Sequence, residues 1–515
     1  MTYDYVVVGA GSAGCVLANR LTEDGRHRVL LLEAGPPDTN PWIHVPIGYG
    51  KTMFHPVLNW RFDTDPDPNM NGRRVYWPRG RTLGGSSAVN GLIQIRGQPE
   101  DFDGWAAQGA DGWDWPGVLP YFRKSAIPVE KIAQRGELVD AFIGAAADLG
   151  VPRNDDFNGP VQEGAGYLHL TTRNARRCSA ATAYLRPARS RANLTVETNA
   201  HVTAVLFAGR RASGVRYRKA GTEVRALAGR EVILAAGALQ SPQLLQLSGV
   251  GPGALLQRHG IPVVADLPGV GANLQDHLAL RLIYKCTKPV TTNDDLKNAW
   301  RKARTGLRYL AFRTGPMAIG VMTGGLISRV MPDARTPDLQ VFISTVSAES
   351  RGAAPHRWPG FTLVYYPMRP TSRGAVEIRS PDPLAAPALK PDYLATEYDR
   401  RIMVAGAKFV RRLAATPSLA PYVLAEHQPG PTVRSDDEIL DAVRNFGTSG
   451  YHPCGTCRIG ADATAVVDPR QRVRGVDGLR VIDASVMPTV VSGNTNAATV
   501  MIGEKGADLV RADAR

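Results

Sequence analysis

Residues 5–14 read Tyr5-Val6-Val7-Val8-Gly9-Ala10-Gly11-Ser12-Ala13-Gly14, and residues 29–33 read Val29-Leu30-Leu31-Leu32-Glu33. The run ending at Val8 is aromatic and β-branched, the composition of a strand. Beyond the glycines, Ala13, Val16, Leu17 and Leu21 fall on one face at helical spacing. Val29 to Leu32 is apolar without alternation, as a parallel strand covered on both sides requires. Strand, glycine turn, helix and strand make a βαβ unit, the opening of a doubly wound sheet. Its glycines follow the G-x-G-x-x-G pattern. Gly9 permits the tight turn, Gly11 lets the backbone approach a pyrophosphate, and Gly14 lets helix and strand pack closely. Ser12 and Ala13 open the helix whose positive end faces the phosphates. Glu33, ending the second strand, can accept hydrogen bonds from ribose hydroxyls. The unit reads as a dinucleotide fingerprint, and it does not separate NAD from FAD.

Two later segments repeat the pattern. Val232-Ile233-Leu234-Ala235-Ala236-Gly237 leads through Ser241-Pro242 into an apolar helix expected to end at Ser248-Gly249, with proline just inside its start. Leu479-Arg480-Val481-Ile482-Asp483 reads as a strand, and a helix is expected over Ala497 to Val510. Residues 281–444 differ in texture, with alternating runs such as Ala375-Val376-Glu377-Ile378, many prolines and a helical stretch around Asp399 to Leu413. The expected fold is α/β: a Rossmann-like, mostly parallel sheet with an inserted α+β domain built on an antiparallel sheet. Residues 1–150 and 151–280 then form two parts of the nucleotide-binding domain, 281–444 the inserted domain, and 445–515 the C-terminal return.

The 515 residues suffice for two packed domains, and 43% hydrophobic with 21% charged residues is ordinary for a globular protein. Five scattered cysteines argue against a disulfide framework and for a reducing compartment. A net charge of +14 raises the question of nucleic acid, but the arginines are spread along the chain and no nucleic-acid motif is present. The basic balance leaves room for peripheral contact with an anionic membrane surface. No apolar run approaches the ~20 residues of a membrane span. The first strand begins almost at once, so a cytoplasmic location is expected.

Gly80-Arg81-Thr82-Leu83-Gly84-Gly85-Ser86-Ser87-Ala88-Val89-Asn90-Gly91 offers small side chains and exposed N–H groups, letting a backbone lie against a flat ring or phosphates. It resembles the first signature of the glucose–methanol–choline (GMC) oxidoreductase family. Gly237-Ala238-Leu239-Gln240-Ser241-Pro242-Gln243-Leu244-Leu245, continuing to Gly251, resembles the second. Tyr451-His452-Pro453-Cys454-Gly455-Thr456-Cys457-Arg458 and Gly493-Asn494-Thr495-Asn496 resemble the family's active-site segments. The matches run in family order along essentially the whole chain.

The resemblance implies FAD. Gly9, Gly11, Ser12, Ala13, Gly14, Glu33 and Ala34 would serve its ADP half. Arg81, Leu83, Gly84, Gly85, Ser86, Asn90 and Gly91, with Val202, Ala236, Gly237, Asp483, Ala484, Asn496 and Ala497, would line the remainder. Some members bond the flavin through a histidine where this chain has Val89, so non-covalent FAD is implied. His452 is implied as the catalytic base, a role that suits an unperturbed imidazole with a pKa of about 6.5. Asn496 is implied as its partner toward the substrate oxygen, and it can also cap the last helix. Cys454-x-x-Cys457 has no second ligand pair and no following histidine, so it reads as packing beside the loop and no metal is expected.

The implied reaction takes a primary alcohol to an aldehyde by hydride transfer to flavin N5, with oxygen, a quinone or another carrier reoxidising the cofactor. Aromatic and aliphatic alcohol oxidases and dehydrogenases resemble the chain best. Choline dehydrogenase is a relative, but no cage for a quaternary ammonium is identifiable, and +14 does not favour cation capture. Cyanohydrin lyases of the same fold are the alternative without net redox, separable because they would not reduce their flavin. One departure stands out. Tyr121-Phe122-Arg123-Lys124-Ser125-Ala126 runs straight into Ile127-Pro128-Val129, where family members usually carry a longer polar loop over the substrate entrance. That leaves either an open entrance or a loop that the chain as written omits.

Overall fold

The structure is a computed structural model, and it describes residues 2–350 and 352–514. The opening βαβ unit forms where the residues direct it, with strands Thr2–Val8 and Val29–Leu32 around the helix Ser12–Leu21. A side chain at Gly14 would put its Cβ 1.8 Å from the Gly9 carbonyl oxygen, and Gly9 itself has φ +98°. The turn therefore closes only with glycine at both positions.

Thr2–Val8 lies at the centre of a seven-stranded sheet. On one side it pairs in parallel with Val29–Leu32 and then Leu194–Glu197. On the other it pairs in parallel with the long strand Thr222–Leu234. The first half of that strand closes an antiparallel meander with Arg211–Lys219 and Ala200–Ala208. Its last residues, Val232 to Leu234, pair in parallel with Leu479–Val481. The sheet is thus mostly parallel, with its antiparallel part confined to one edge.

The C-terminal helix Asn496–Asp513 crosses Ser12–Leu21 closely, because Gly503 leaves room against Ala13. Arg20 makes a two-pronged pair with the buried Glu504, both bonds at 2.8 Å, and Tyr184 donates to the same carboxylate at 2.8 Å. Such forked, charge-assisted bonds hold direction as well as distance, so two helix N-termini are fixed side by side. The residue before the C-terminal helix is Thr495, and Asn496 is the helix's first residue; its side chain does not cap the helix as expected.

The second expected helix also differs. It begins at Gly237 and carries Pro242 inside it. A proline there frees the carbonyl four residues back. Thr456 Oγ1 donates to that carbonyl, Ala238, at 2.6 Å, which compensates the lost bond.

A second, wholly antiparallel sheet runs Val423–Gln428, Leu278–Cys286, Gly360–Pro367, Leu339–Ser344, Met322–Ser328, Gly164–Tyr167. It draws in Gly164–Tyr167, begins at Leu278 and pairs with Thr448–Ser449, so it reaches beyond residues 281–444 on both sides. Strand alternation gives it two apolar faces. Leu363 and Tyr365 pack with Leu280, Val341 and the helices Glu137–Asp148 and Glu397–Ala414. Val364 and Tyr366 point the other way, with Ala279, Phe342, Leu92 and Ile93, toward the first sheet. No helix among the described residues is long and apolar enough to cross a membrane.

Candidate active site

Between the two sheets lies a cavity with ≈ 2100 Å³ of empty space, counting its opening to solvent. Gly9, Gly11, Ser12, Ala13, Glu33, Ala34, Gly85, Ser86, Asn90, Gly91, Val202, Ala236, Gly237, Asp483, Ala484 and Asn496 line it, and so does His452. Chain segments from four regions of the sequence therefore meet around one space. Gly14, Arg81, Leu83, Gly84 and Ala497 are expected on its wall and are not there. Gly14 is consumed by the turn, Leu83 is buried in the core, and Gly84 donates to the Ala10 carbonyl at 2.8 Å. Ala497 is buried beneath the first helical turn. Arg81 lies over the Trp60 ring at 4.7 Å, beside a separate recess with Asp63 and Tyr76. These residues hold the wall up from behind.

The wall suits a dinucleotide. A Cβ at Gly91 or Gly237 would meet nothing within 4 Å, and at Gly11 only the Ala235 oxygen at 3.9 Å. Bare backbone therefore faces open space where phosphates and a flat ring need close approach. Glu33 accepts from Ala10 N at 3.0 Å and from Gly35 N at 2.8 Å. Burial pushes its carboxyl up to about 7, against the pull of those two N–H groups and of Arg81. Asp483 does the same service on the other turn, accepting from Gly237 N at 2.8 Å and Ser241 Oγ at 2.6 Å.

His452 sits on a loop clamped to the segment before the Leu278–Cys286 strand. Its backbone N–H donates to Asp276 at 2.7 Å, and Asp276 also accepts from Ser449 and Tyr393 at 2.6 and 2.5 Å. The ring meets two partners. Nδ1 lies 2.8 Å from His277 Nδ1, and Nε2 lies 3.0 Å from Asn494 Nδ2. His277 Nε2 is 2.9 Å from the Met368 carbonyl, which can only accept, so that nitrogen carries the proton. Burial holds the His277 pKa down at about 4, leaving the ring neutral with a lone pair on Nδ1. His452 Nδ1 must then donate to it. The lone pair of His452 consequently sits on Nε2, where the Asn494 amide N–H points.

Asn494, not Asn496, stands beside His452. Asn496 instead accepts from Ser12 Oγ at 2.8 Å, tying the C-terminal helix to the opening glycine turn. Asn494 Oδ1 is buried without a hydrogen-bond partner among the described residues, which leaves it for a bound molecule. The sequence reading also missed His277 and Asp276. Their signal was a polar Gln275-Asp276-His277 run immediately before a strongly apolar strand. Tyr366 completes the surround, stacked on His277 at 4.6 Å and edge-on to His452 at 5.6 Å.

Cys454 and Cys457 are free, buried thiols whose pKa burial drives upward, in keeping with packing. The one grouping of metal-ligand type among the described residues is Glu349 with His356 and His427, away from this cavity.

Comparison with known proteins agrees with this architecture. Two family models, both described as GMC oxidoreductase, match residues 3–279 and 370–503. Human mitochondrial choline dehydrogenase is 45% identical over 99% of this chain and 90% of its own length. The alcohol dehydrogenase (acceptor) of Pseudomonas putida is 40% identical over 99% and 95%. Among solved structures, pyridoxine 4-oxidase from Mesorbium loti is similar with a TM-score of 0.90 at 32% identity, covering 99% of each chain. Formate oxidase of Aspergillus oryzae RIB40 is similar with a TM-score of 0.93 at 26% identity, covering 99% of this chain and 98% of its own.

Proposed function

Because the chain belongs to the GMC oxidoreductase family, FAD-dependent enzymes acting on CH–OH groups, we propose that it oxidises an uncharged primary alcohol, aromatic or aliphatic, to the aldehyde, with His452 as base. The carrying observation is the lone pair of His452 Nε2 beside the Asn494 amide, at the cavity wall. FAD, when bound along the glycine-lined wall, supplies the two-electron acceptor. The apolar Val89 at the place of the linking histidine supports its being held without a covalent bond.

A substrate hydroxyl entering between His452 and Asn494 would donate to Nε2 and accept from the asparagine N–H, replacing their direct contact. His452 then takes the hydroxyl proton at Nε2 while its Nδ1–H stays on His277, so neither ring nitrogen is stranded. The alkoxide is held by the Asn494 N–H and the new imidazolium N–H. Tyr366, Phe342, Val364 and Met322 exclude water on the substrate side.

The preference for an uncharged alcohol rests on charge. Among the described residues lining the cavity the carboxylates are Glu33 and Asp483, and both are occupied by the glycine turns. A second reading, choline, is favoured by the 45% identity to human choline dehydrogenase and by Tyr49, Tyr366 and Tyr451 on the wall, whose ring faces attract a quaternary ammonium. Anaerobic mixing of the holoenzyme with benzyl alcohol, a medium-chain alkanol and choline separates the readings by flavin bleaching. Faster bleaching by choline replaces the first reading with the second. Bleaching by none of them removes both.

A further inference from the structure

The four most exposed large apolar side chains among the described residues all belong to one helix, Ala299–Phe312: Trp300 at 68%, Leu307 at 67%, Leu310 at 68% and Phe312 at 74%. At 3.6 residues per turn, Trp300, Ala303, Leu307, Leu310 and Ala311 share one strip about 100° wide. Thr305 and Tyr309 lie on the opposite side and are buried, with the Tyr309 hydroxyl donating to the Ala175 carbonyl at 3.1 Å. The helix is therefore anchored by its polar residues and turns its apolar strip outward, the reverse of a helix packed on a core.

Charge flanks the strip on both sides. Arg301, Arg304 and Arg308 fall along one edge, and Lys302 with the capping Arg313 along the other. Residues 299–313 contain no acidic residue. Arg304 lies over the Trp300 ring at 5.3 Å, a pairing that suits a ring seated at headgroup depth. An outward apolar strip bordered by cations is complementary to one surface, an anionic lipid bilayer, where the strip enters the acyl boundary and the cations meet the headgroups.

The helix continues through Pro316–Ile319 into Met322–Ser328, and Met322 lines the cavity. Val321 N donates to the hydroxyl of Tyr49, another cavity residue, at 3.4 Å. We propose that Ala299–Phe312 seats the enzyme on an anionic phospholipid surface, with the Tyr49 and Met322 end of the cavity beside it. An alcohol partitioned into the bilayer would then reach that end without crossing bulk water. This inference stands on exposure and charge, independently of the chemistry at His452.

The test is co-sedimentation of the holoenzyme with phosphatidylcholine vesicles, with and without phosphatidylglycerol. Wild type should pellet with the anionic vesicles and be released by salt. The combined change Trp300→Ser, Leu307→Ser and Leu310→Ser should weaken binding about tenfold or more, with FAD content and reduction by a water-soluble alcohol unchanged. Arg304→Gln with Arg308→Gln should reduce the dependence on phosphatidylglycerol. If the serine variant fails to fold, quenching by brominated lipid replaces it: tryptophan emission should be quenched in wild type and much less in Trp300→Phe. Wild type remaining in the supernatant with both vesicles overturns the proposal, as does undiminished pelleting of the folded serine variant. A wild-type dimer that the serine variant dissociates, with no vesicle binding, would assign the strip to a second copy and overturn it too.

Discussion

His277 Nδ1 lies 2.8 Å from His452 Nδ1, and the opposite nitrogen of His277 is spent on the Met368 carbonyl. One backbone carbonyl thereby decides, through two rings, which nitrogen of His452 carries the lone pair. Replacing His277 with Phe should release that control. Flavin reduction by alcohol is expected to slow roughly 10- to 100-fold, by analogy with the loss of the hydrogen-bond partners that orient metal-bound histidines, at unchanged FAD content. His277→Gln, which keeps an acceptor oxygen, should recover part of the rate, and the two variants should differ in the pH profile of reduction. Stopped-flow traces identical to wild type across pH would remove the positioning role.

The same buried ring couples pH to stability. An unfolded imidazole takes its proton near pH 6.5, whereas burial delays this in His277 to about 4. Between those values the unfolded chain holds the extra proton, so stability rises with pH. The contribution is fully present above about 6.5 and is lost as the pH falls through 4, with a size of order 3 kcal/mol. Urea unfolding at pH 7 and pH 5 should show a smaller loss in His277→Gln than in wild type. Equal losses would mean that His277 is not neutral in the folded state.

His452→Ala should lower anaerobic flavin reduction by roughly 10²–10⁴, the worth of a positioned general base. Asn494→Ala should cost less, because it removes a donor and leaves the base. Asn496→Ala should act differently, loosening FAD through loss of the Ser12 contact while sparing the rate per bound flavin. If the two asparagine variants exchange these phenotypes, the assignment of Asn494 to the substrate side is wrong.

Glu33→Ala leaves the N–H groups of Ala10 and Gly35 without their acceptor in a buried turn, each a loss of about 1–3 kcal/mol. The purified variant should contain less FAD, and the flavin it does retain should be reduced at a near-normal rate. Full occupancy with a uniformly slower rate is the outcome this account does not allow.

Val89 is buried against Ile43, Leu58 and Ala88 and has no atom that can bond to an isoalloxazine ring. Heat or acid denaturation followed by filtration should therefore pass all of the yellow colour into the filtrate. Flavin left on the precipitated chain would point to another attachment residue, and His201, which also lines the cavity, is the first to examine.

Local physics made much of this legible from the residues alone. The apolar run Val29–Leu32 and the glycines between Val8 and Ser12 specify strand and turn without help from the rest of the chain, and both occur as read. The family motifs brought His452 forward with Asn496, whereas the structure sets the other asparagine of that tetrapeptide, Asn494, beside His452. Which of them reaches His452 depends on where the C-terminal helix starts, and that is set by its crossing with Ser12–Leu21 and by the Arg20–Glu504 pair. His277 is 175 positions from His452 in the chain, and the pairing of Leu278 with Ser449, with the Asp276 clamp on the His452 N–H, draws them together. The helix Ala299–Phe312 is the plainest case. Its spacing encodes an apolar strip, but whether that strip faces core or solvent is a property of what packs around it. Periodicity is local and survives in the sequence; the direction in which a face points is tertiary and does not.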